Sequence, residues 1–189
     1  QLDESSGTIM YYIRNNNNGT QSGGVTYGET GMFGDALSFD GSDDYVLIPN
    51  QTIPLSSDFT ITTWFKSNNV SKYQHIINSY GTGGQDGRFT HSLNNGAVSV
   101  FHGHSSGNLA IYATNLKNNQ WYFTSITRDG DNISLYIDGE YSDSDIMSNS
   151  NILDTWQAIG NAPIDGLFSS RNFNGSIDEV AIWNRSLSA

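Results

Sequence analysis

The sequence predicts an all-β protein, a two-sheet antiparallel β-sandwich, on three observations. Apolar and polar residues alternate along almost the whole chain, whereas helical periodicity is hard to find. Clusters of Gly, Asn, Asp and Ser separate the alternating stretches, as turn residues separate strands. The number of such stretches, about ten or more, is typical of two packed sheets.

Residues 58–66 contain the clearest strand. One face of this segment is apolar apart from a threonine, and it consists of Phe59, Ile61, Thr63 and Phe65. The opposite face consists of Thr60, Thr62, Trp64 and Lys66. Because successive side chains of a strand point to opposite faces, we expect the first row to lie in the core.

Residues 133–137 alternate equally cleanly and are followed by the dipeptide Asp138-Gly139 and then Glu140-Tyr141. Glycine tolerates the positive φ that a tight turn requires, and aspartate often precedes it. The segment therefore predicts a β-hairpin.

Other alternating segments predict the remaining strands. They are residues 36–39, 45–48, 75–79, 98–102, 109–114, 121–127, 156–159 and 177–183. The polar and glycine-rich stretches 15–18, 19–24 and 81–87 are predicted to be surface loops. No repeat or change of composition marks a boundary, so we expect one domain over residues 1–189, excised from a larger surface protein.

Composition limits the partners. Hydrophobic residues make up 36% of the chain, enough for a core, and the net charge of −11 opposes binding to nucleic acids and to anionic membranes. The absence of cysteine excludes disulfides and thiolate metal sites. No apolar run is long enough to predict a membrane-spanning helix, so we expect no membrane insertion.

Five segments in chain order resemble a known family. They are residues 2–8, 34–46, 59–64, 121–139 and 173–188, and they include Phe39-Asp40-Gly41 and Ile177-Asp178-Glu179. Together they are similar to the concanavalin A-like, laminin-G-like jelly-roll modules of surface proteins and multidomain glycosidases. The resemblance implies a jelly-roll β-sandwich over most of the chain.

The same resemblance implies a structural cation. In such modules the first and last strands are neighbours, which would bring Asp3 and Glu4 close to Asp178 and Glu179. These carboxylates would repel each other without a cation, and Ca²⁺ takes six to eight oxygen ligands. The predicted calcium ligands are the side chains of Asp3, Asp40 and Asp178 and the carbonyl of Gly41.

A second interpretation of these acidic residues needs no metal. Residues 40–43 would then form an Asx-type turn, and Asp178 would only accept hydrogen bonds from nearby backbone amides. The sequence contains no continuous EF-hand loop, so any calcium site has to be assembled from distant segments.

Carbohydrate binding would use an aromatic face for stacking beside polar groups. Trp64 and Trp156 are candidate platforms, but Trp64, like Trp121 and Trp183, lies in a strand that the family shares, which leaves Trp156 as the prediction. Polar contacts are predicted from Arg88, His102 and His104, with His75 and Asn78 as further candidates. A zinc site at His102 and His104 lacks a third ligand nearby, so a surface position is the alternative for both.

The sequence shows no catalytic signature. A glycosidase of this shape needs paired carboxylates on one strand face, but Asp138 and Glu140 fall at a turn, and Asp143 and Asp145 fall in a predicted polar loop. No nucleophile elbow, cysteine nucleophile or phosphate-binding glycine loop is present.

We therefore expect a noncatalytic, calcium-stabilised extracellular or cell-surface module that binds a glycan or a cell-surface protein. The first alternative is a structural spacer or protein-adhesion domain without a sugar site. The second alternative is a glycan hydrolase or lyase whose catalytic residues follow no local pattern.

Overall fold

The computed structural model describes residues 9–10, 18–49, 52–80, 88–104, 107–147, 156–161 and 170–188, with backbone alone for 9–10, 103–104 and 107–110. Within these ranges all regular structure is β-strand, which confirms the predicted fold class. The described residues include no helix that could cross a membrane.

The described residues contain fifteen strands. In order they are β1 (Ile9–Met10), β2 (Gly19–Ser22), β3 (Thr26–Thr30), β4 (Asp35–Asp40), β5 (Tyr45–Ile48), β6 (Phe59–Ser67), β7 (Gln74–Tyr80), β8 (Arg88–Asn94), β9 (Ala97–His104), β10 (Gly107–Ala113), β11 (Trp121–Asp129), β12 (Asn132–Ile137), β13 (Glu140–Ile146), β14 (Trp156–Ile159) and β15 (Asn174–Trp183).

The strands form two sheets. Within each sheet, every pair of hydrogen-bonded neighbouring strands is antiparallel. The eight-stranded sheet has the order β1-β2-β5-β14-β7-β8-β9-β10. The seven-stranded sheet has the order β13-β12-β11-β6-β15-β4-β3. Distant parts of the chain are thus neighbours in each sheet, as in a jelly roll.

The hydrophobic core lies between the two sheets. The predicted apolar face of β6 is buried in it, and Phe59 of this strand packs edge-on against Phe89 of the opposite sheet at 5.8 Å between ring centroids. Phe65 packs likewise against His91 at 6.3 Å. Burial lowers the pKa of His91 to about 3, so this core histidine is neutral at neutral pH.

Most of the predicted strands are confirmed, including the hairpin, whose Asp138 and Gly139 both have positive φ, at 50° and 86°. Asp143 and Asp145 lie in β13 rather than in a loop.

The predicted loop over residues 19–24 is wrong, because residues 19–22 form β2 and pair with β5. Its residues are small or polar, so no apolar pattern marks it. Gly19 packs so closely that a Cβ there would come within 2.6 Å of Val46. The sequence also failed to predict β1, β3 and β8.

Candidate functional site

The outer face of the eight-stranded sheet is the face turned away from the core. Three residues form a row across it: the predicted ligand contacts Trp156 and Arg88, and Tyr80 between them. Trp156 of β14 is paired with Tyr80 of β7. The register of β7 and β8, which pairs Ser79 with Phe89, places Tyr80 beside Arg88. Because neighbouring strands lie about 4.8 Å apart, the backbones at Trp156 and Arg88 are about 10 Å apart.

Side-chain alternation defines which residues share this face. Phe89 points into the core, so its neighbours Arg88 and Thr90 point outwards. Thr90 is paired with Asn78 on one side and with Phe101 on the other. A second row, adjacent to the first, therefore carries an amide, a hydroxyl and an aromatic ring.

The polar groups of the second row lack partners. Thr90 and Asn78 are buried, and the Thr90 Oγ1 and both polar atoms of the Asn78 amide have no hydrogen bond of normal geometry, although the Asn78 amide is close enough to the Tyr80 hydroxyl to lower the pKa of that group. Buried polar groups in folded proteins are nearly always hydrogen-bonded. Three such atoms on neighbouring strands therefore mark this face as a candidate binding site.

The two rows differ in accessibility. The Trp156 side chain is 44% exposed, whereas Arg88, Tyr80 and Asn78 are buried. The exposed indole is therefore a candidate platform for a ligand, beside polar groups that are buried.

Two guanidinium groups stack on aromatic rings near this face. Arg88 lies over the Phe101 ring at 4.2 Å and Arg171 lies over the Tyr73 ring at 4.1 Å from the centroid. Burial lowers the pKa of Arg88 below its ordinary value, and the positive charge of Arg171 adds to this lowering. Cation–π stacking fixes both side chains in orientation.

A hydrogen-bonded network supports this face from the side. The His75 Nδ1 lies 3.0 Å from the Asn161 Oδ1 and 3.1 Å from the Tyr80 hydroxyl, and the Asn161 Nδ2 donates to the Asn172 Oδ1 at 2.7 Å. Because the Asn161 Oδ1 can only accept, Nδ1 carries the ring proton. Burial lowers the pKa of His75 to about 3 and raises that of Tyr80 to about 12. Both groups are thus neutral at neutral pH.

The structure brings together some of the predicted ligand residues and separates others. Trp156 and Arg88 share the outer face, and the further candidates His75 and Asn78 belong to the same region. His102 is paired with the core-facing Phe89 and is fully buried. This corrects the expected surface position of His102, because side-chain alternation in β9 turns it to the core side.

Two further candidates, His104 and Trp64, are not shown to lie on this face. His104 is in β9, and its side chain is outside the described part of the chain. Trp64 belongs to the seven-stranded sheet, where its ring packs 5.2 Å from Phe123 and 6.3 Å from Phe33. Trp64 is therefore not part of the face defined by Trp156 and Arg88, and a contact from His104 stays a prediction.

Asp178, a predicted calcium ligand, is fully buried and hydrogen-bonded to the backbone. Its Oδ2 accepts from Met32 N at 2.8 Å and from Phe33 N at 3.2 Å, and its Oδ1 accepts from Glu179 N at 2.7 Å. Three of roughly four lone-pair sites of the carboxylate are thus occupied by N–H donors. This arrangement matches the metal-free interpretation of Asp178.

Asp40 and Gly41 lie away from Asp178. The register of β4 and β15 pairs Asp40 with Asn174, four residues before Asp178, which separates the two aspartates by about 13 Å along the strand. Asp3 lies outside the described residues. The structure thus does not bring Asp40 and Asp178 into one site, and calcium binding stays a prediction.

Comparison with known structures shows the fold. Domain 4 of an extracellular arabinanase from Geobacillus stearothermophilus, in complex with arabinotriose, is similar with a TM-score of 0.71 and 19% identity, over 99% of this chain and 88% of that one. Domains LG4-5 of the mouse laminin α1 chain have a TM-score of 0.65 and 16% identity, over 82% of this chain and 44% of that one.

A third similar structure is the binding domain of botulinum neurotoxin DC in complex with rat synaptotagmin II. Its TM-score is 0.67 at 19% identity, over 92% of this chain and 45% of that one. The chain thus spans less than half of the laminin and neurotoxin chains. No curated protein sequence matches it.

A family model, by contrast, matches most of the sequence. It covers residues 40–189 and confirms the resemblance to laminin-G-like modules. The chain belongs to this laminin-G family, which is described as the concanavalin A-like lectin/glucanases superfamily.

Proposed function

We propose that the chain is a noncatalytic extracellular recognition module that binds carbohydrate on the outer face of its eight-stranded sheet. The observation that carries this proposal is the exposed Trp156 in register with Tyr80 and Arg88, beside the unpartnered polar atoms of Thr90 and Asn78.

The chemistry of this face suits a sugar. A pyranose or furanose ring presents an apolar C–H surface, which stacks on the exposed indole of Trp156, and a rim of hydroxyl groups. Those hydroxyls both donate and accept, so they can bond the Asn78 amide and the Thr90 hydroxyl at once. Each such bond satisfies a buried group that is otherwise left without a partner.

Two proteins of similar structure support the proposal. The arabinanase domain was solved with arabinotriose and comes from an extracellular protein, and laminin is the parent of the LG4-5 domains. At 19% and 16% identity these similarities concern the fold, so the ligand of this chain has to be argued from its own residues.

The noncatalytic part of the proposal rests on side-chain chemistry. Glycoside hydrolysis generally needs two carboxyl groups on either side of the scissile bond. Among the described residues, the rows around Trp156 and Thr90 carry aromatic, amide, hydroxyl and guanidinium groups. This set is suited to holding a glycan without cleaving it.

The test is a glycan array followed by titration of the strongest hit into wild type and Trp156→Ala. We expect the substitution to weaken binding at least about tenfold, because a stacked aromatic contributes on the order of 1.4 kcal/mol. Tyr141→Ala is the matched control, since Tyr141 is 58% exposed on β13 of the other sheet. Equal affinities of wild type and Trp156→Ala would contradict the proposal.

A second candidate function is protein adhesion through the seven-stranded sheet. Phe33 and Met32 are exposed there, and the Phe33 ring packs against Trp64 at 6.3 Å. The similar neurotoxin domain was solved with a protein partner. An array without glycan hits, together with a protein partner whose binding is lost in Phe33→Ala, would favour this candidate.

A further inference from the structure

We propose that the carbohydrate bound on the outer face of the eight-stranded sheet is acidic, and that Arg171, with the charge of Arg88 beside it, recognises a carboxylate group of its sugars. This inference rests on the proposed function, because it names the class of ligand for the same face. It adds Arg171 and Tyr73 to the residues that the sequence predicted for ligand binding.

Acidic residues are distributed unequally between the two sheets. Among the described strands, those of the eight-stranded sheet contain no Asp or Glu, whereas those of the seven-stranded sheet contain nine. The nine are Glu29, Asp35, Asp40, Asp129, Glu140, Asp143, Asp145, Asp178 and Glu179. Because like charges repel, the eight-stranded sheet is the one whose strands oppose an anionic ligand least.

The central strand β7 carries a line of contacting rings that leads away from the row of Trp156, Tyr80 and Arg88. The Tyr80 hydroxyl lies 3.1 Å from the His75 Nδ1. Tyr73, two residues before His75, packs edge-on against the His75 ring at 5.4 Å between centroids. His75 thus connects Tyr73 to the proposed carbohydrate site.

Arg171 lies over Tyr73 at the end of this line. Its guanidinium is 4.1 Å from the centroid of the Tyr73 ring, and its backbone carbonyl accepts from His75 N at 2.9 Å. Arg171 and Tyr73 are both half-buried, so a ligand can reach them. A stacked guanidinium directs its N–H groups sideways in its own plane, where two of them match the two oxygens of a carboxylate.

Arg88 brings a second positive charge to the same region. Its guanidinium stacks on Phe101 at 4.2 Å, and the charge of Arg171 acts on it together with the phenols of Tyr73 and Tyr80. Burial lowers the pKa of Arg88, and the repulsion from Arg171 lowers it further. A carboxylate bound beside Arg171 would offset that repulsion, whereas a neutral sugar would not.

The net charge of −11 does not prevent such binding. At physiological salt, exposed charges more than about 8 Å apart are largely screened from each other. The two sheets of a sandwich pack about 10 Å apart, so the carboxylates of the seven-stranded sheet act only weakly on the opposite outer face. The guanidinium groups on that face therefore dominate its interaction with a ligand.

The experiment is a glycan array on which carboxylated oligosaccharides stand beside the same oligosaccharides with their carboxyl groups reduced to alcohols. The pair that contains the strongest hit is then titrated into wild type, Arg171→Gln and Arg171→Lys. We expect wild type to bind the carboxylated form about tenfold or more tightly than the reduced form, because a guanidinium–carboxylate pair forms charge-assisted hydrogen bonds. Arg171→Gln should lose this preference, and Arg171→Lys should keep only part of it because it lacks the planar fork.

Lys66→Gln is the matched control. Lys66 is a half-buried cation over the Trp121 ring at 5.0 Å, and it belongs to the seven-stranded sheet. The substitution removes the same charge from the chain as Arg171→Gln, so it should leave the preference for the carboxylated form unchanged. Thermal unfolding of each variant checks that it is folded, and Arg171→Lys keeps the charge should Arg171→Gln prove unstable.

Equal affinity of wild type for the two forms would overturn the inference. The proposed carbohydrate site would survive that result if Trp156→Ala still weakened the binding of both forms. A wild-type preference in Arg171→Gln and in Arg171→Lys would likewise overturn the role of Arg171. An array without any glycan hit would contradict the inference and the proposed function together.

Discussion

The outer faces of the two sheets treat buried polar groups in opposite ways. On the seven-stranded sheet, the buried Asp178 accepts three backbone hydrogen bonds, from Met32, Phe33 and Glu179. On the eight-stranded sheet, the buried Thr90 and Asn78 leave three polar atoms without partners. The first face is completed by the protein's own backbone, whereas on the second face the proposed carbohydrate would supply the missing bonds.

The difference teaches how a buried polar residue should be interpreted. A satisfied group such as Asp178 stabilises the fold, since its removal would leave N–H donors unpaired. An unsatisfied group such as Thr90 costs stability, and under the proposed function that cost is offset when a ligand binds. Substitutions on the two faces should therefore have opposite consequences.

The largest effect is expected for Asp178→Ala. This change leaves the N–H groups of Met32, Phe33 and Glu179 without their acceptor, and it should lower the free energy of unfolding by about 4 kcal/mol. Urea denaturation measures the loss. The exposed Asp129→Ala should stay within about 0.5 kcal/mol of wild type, and a loss below about 1 kcal/mol in Asp178→Ala would contradict the structural role.

An intermediate effect is expected from the core histidine between the two sheets. The folded pKa of His91 is about 3, against an ordinary value of 6.5, so the unfolded chain binds a proton that the folded chain does not as pH falls below 6.5. Stability is therefore fully present above this pH and is lost between pH 6.5 and 3, by about 2 kcal/mol at pH 5.

His91→Leu should remove this contribution and flatten the profile. His75 has the same lowered pKa of about 3, so the variant should keep roughly half of the slope. The free energy of unfolding, measured in urea at pH 7 and pH 5 for wild type and variant, checks the prediction. Equal slopes in the two proteins would show that His91 is not held neutral by the core.

Much of the fold was predictable because its strands carry local patterns. The apolar row of β6 and the Asp138-Gly139 turn determine their structures within a few residues. Strand β8 was missed because the polar His91 interrupts its apolar core-facing row between Phe89 and Leu93.

The candidate site was only partly predictable because it depends on the order of strands. Trp156 and Arg88 lie on the same face because β7 separates β14 from β8 in the sheet. No local sequence signal gives that strand order. For Asp178 the sequence offered two roles, and only tertiary hydrogen bonds distinguish them.

The smallest change in stability is expected for Thr90→Val. This variant is also the most direct test of the binding face. Valine has the shape of threonine without the hydroxyl, so the variant should unfold within about 1 kcal/mol of wild type or be slightly more stable. Thr63→Val is the matched control, since Thr63 is also buried with an unpartnered Oγ1, on the core side of β6.

The decisive measurement is titration of the strongest glycan hit into wild type, Thr90→Val and Thr63→Val, with urea denaturation of each. We predict unchanged stability in both variants and a threefold to tenfold loss of affinity, roughly one hydrogen bond, in Thr90→Val alone. Wild-type affinity in Thr90→Val, or an equal loss in Thr63→Val, would contradict a glycan site on the outer face of the eight-stranded sheet.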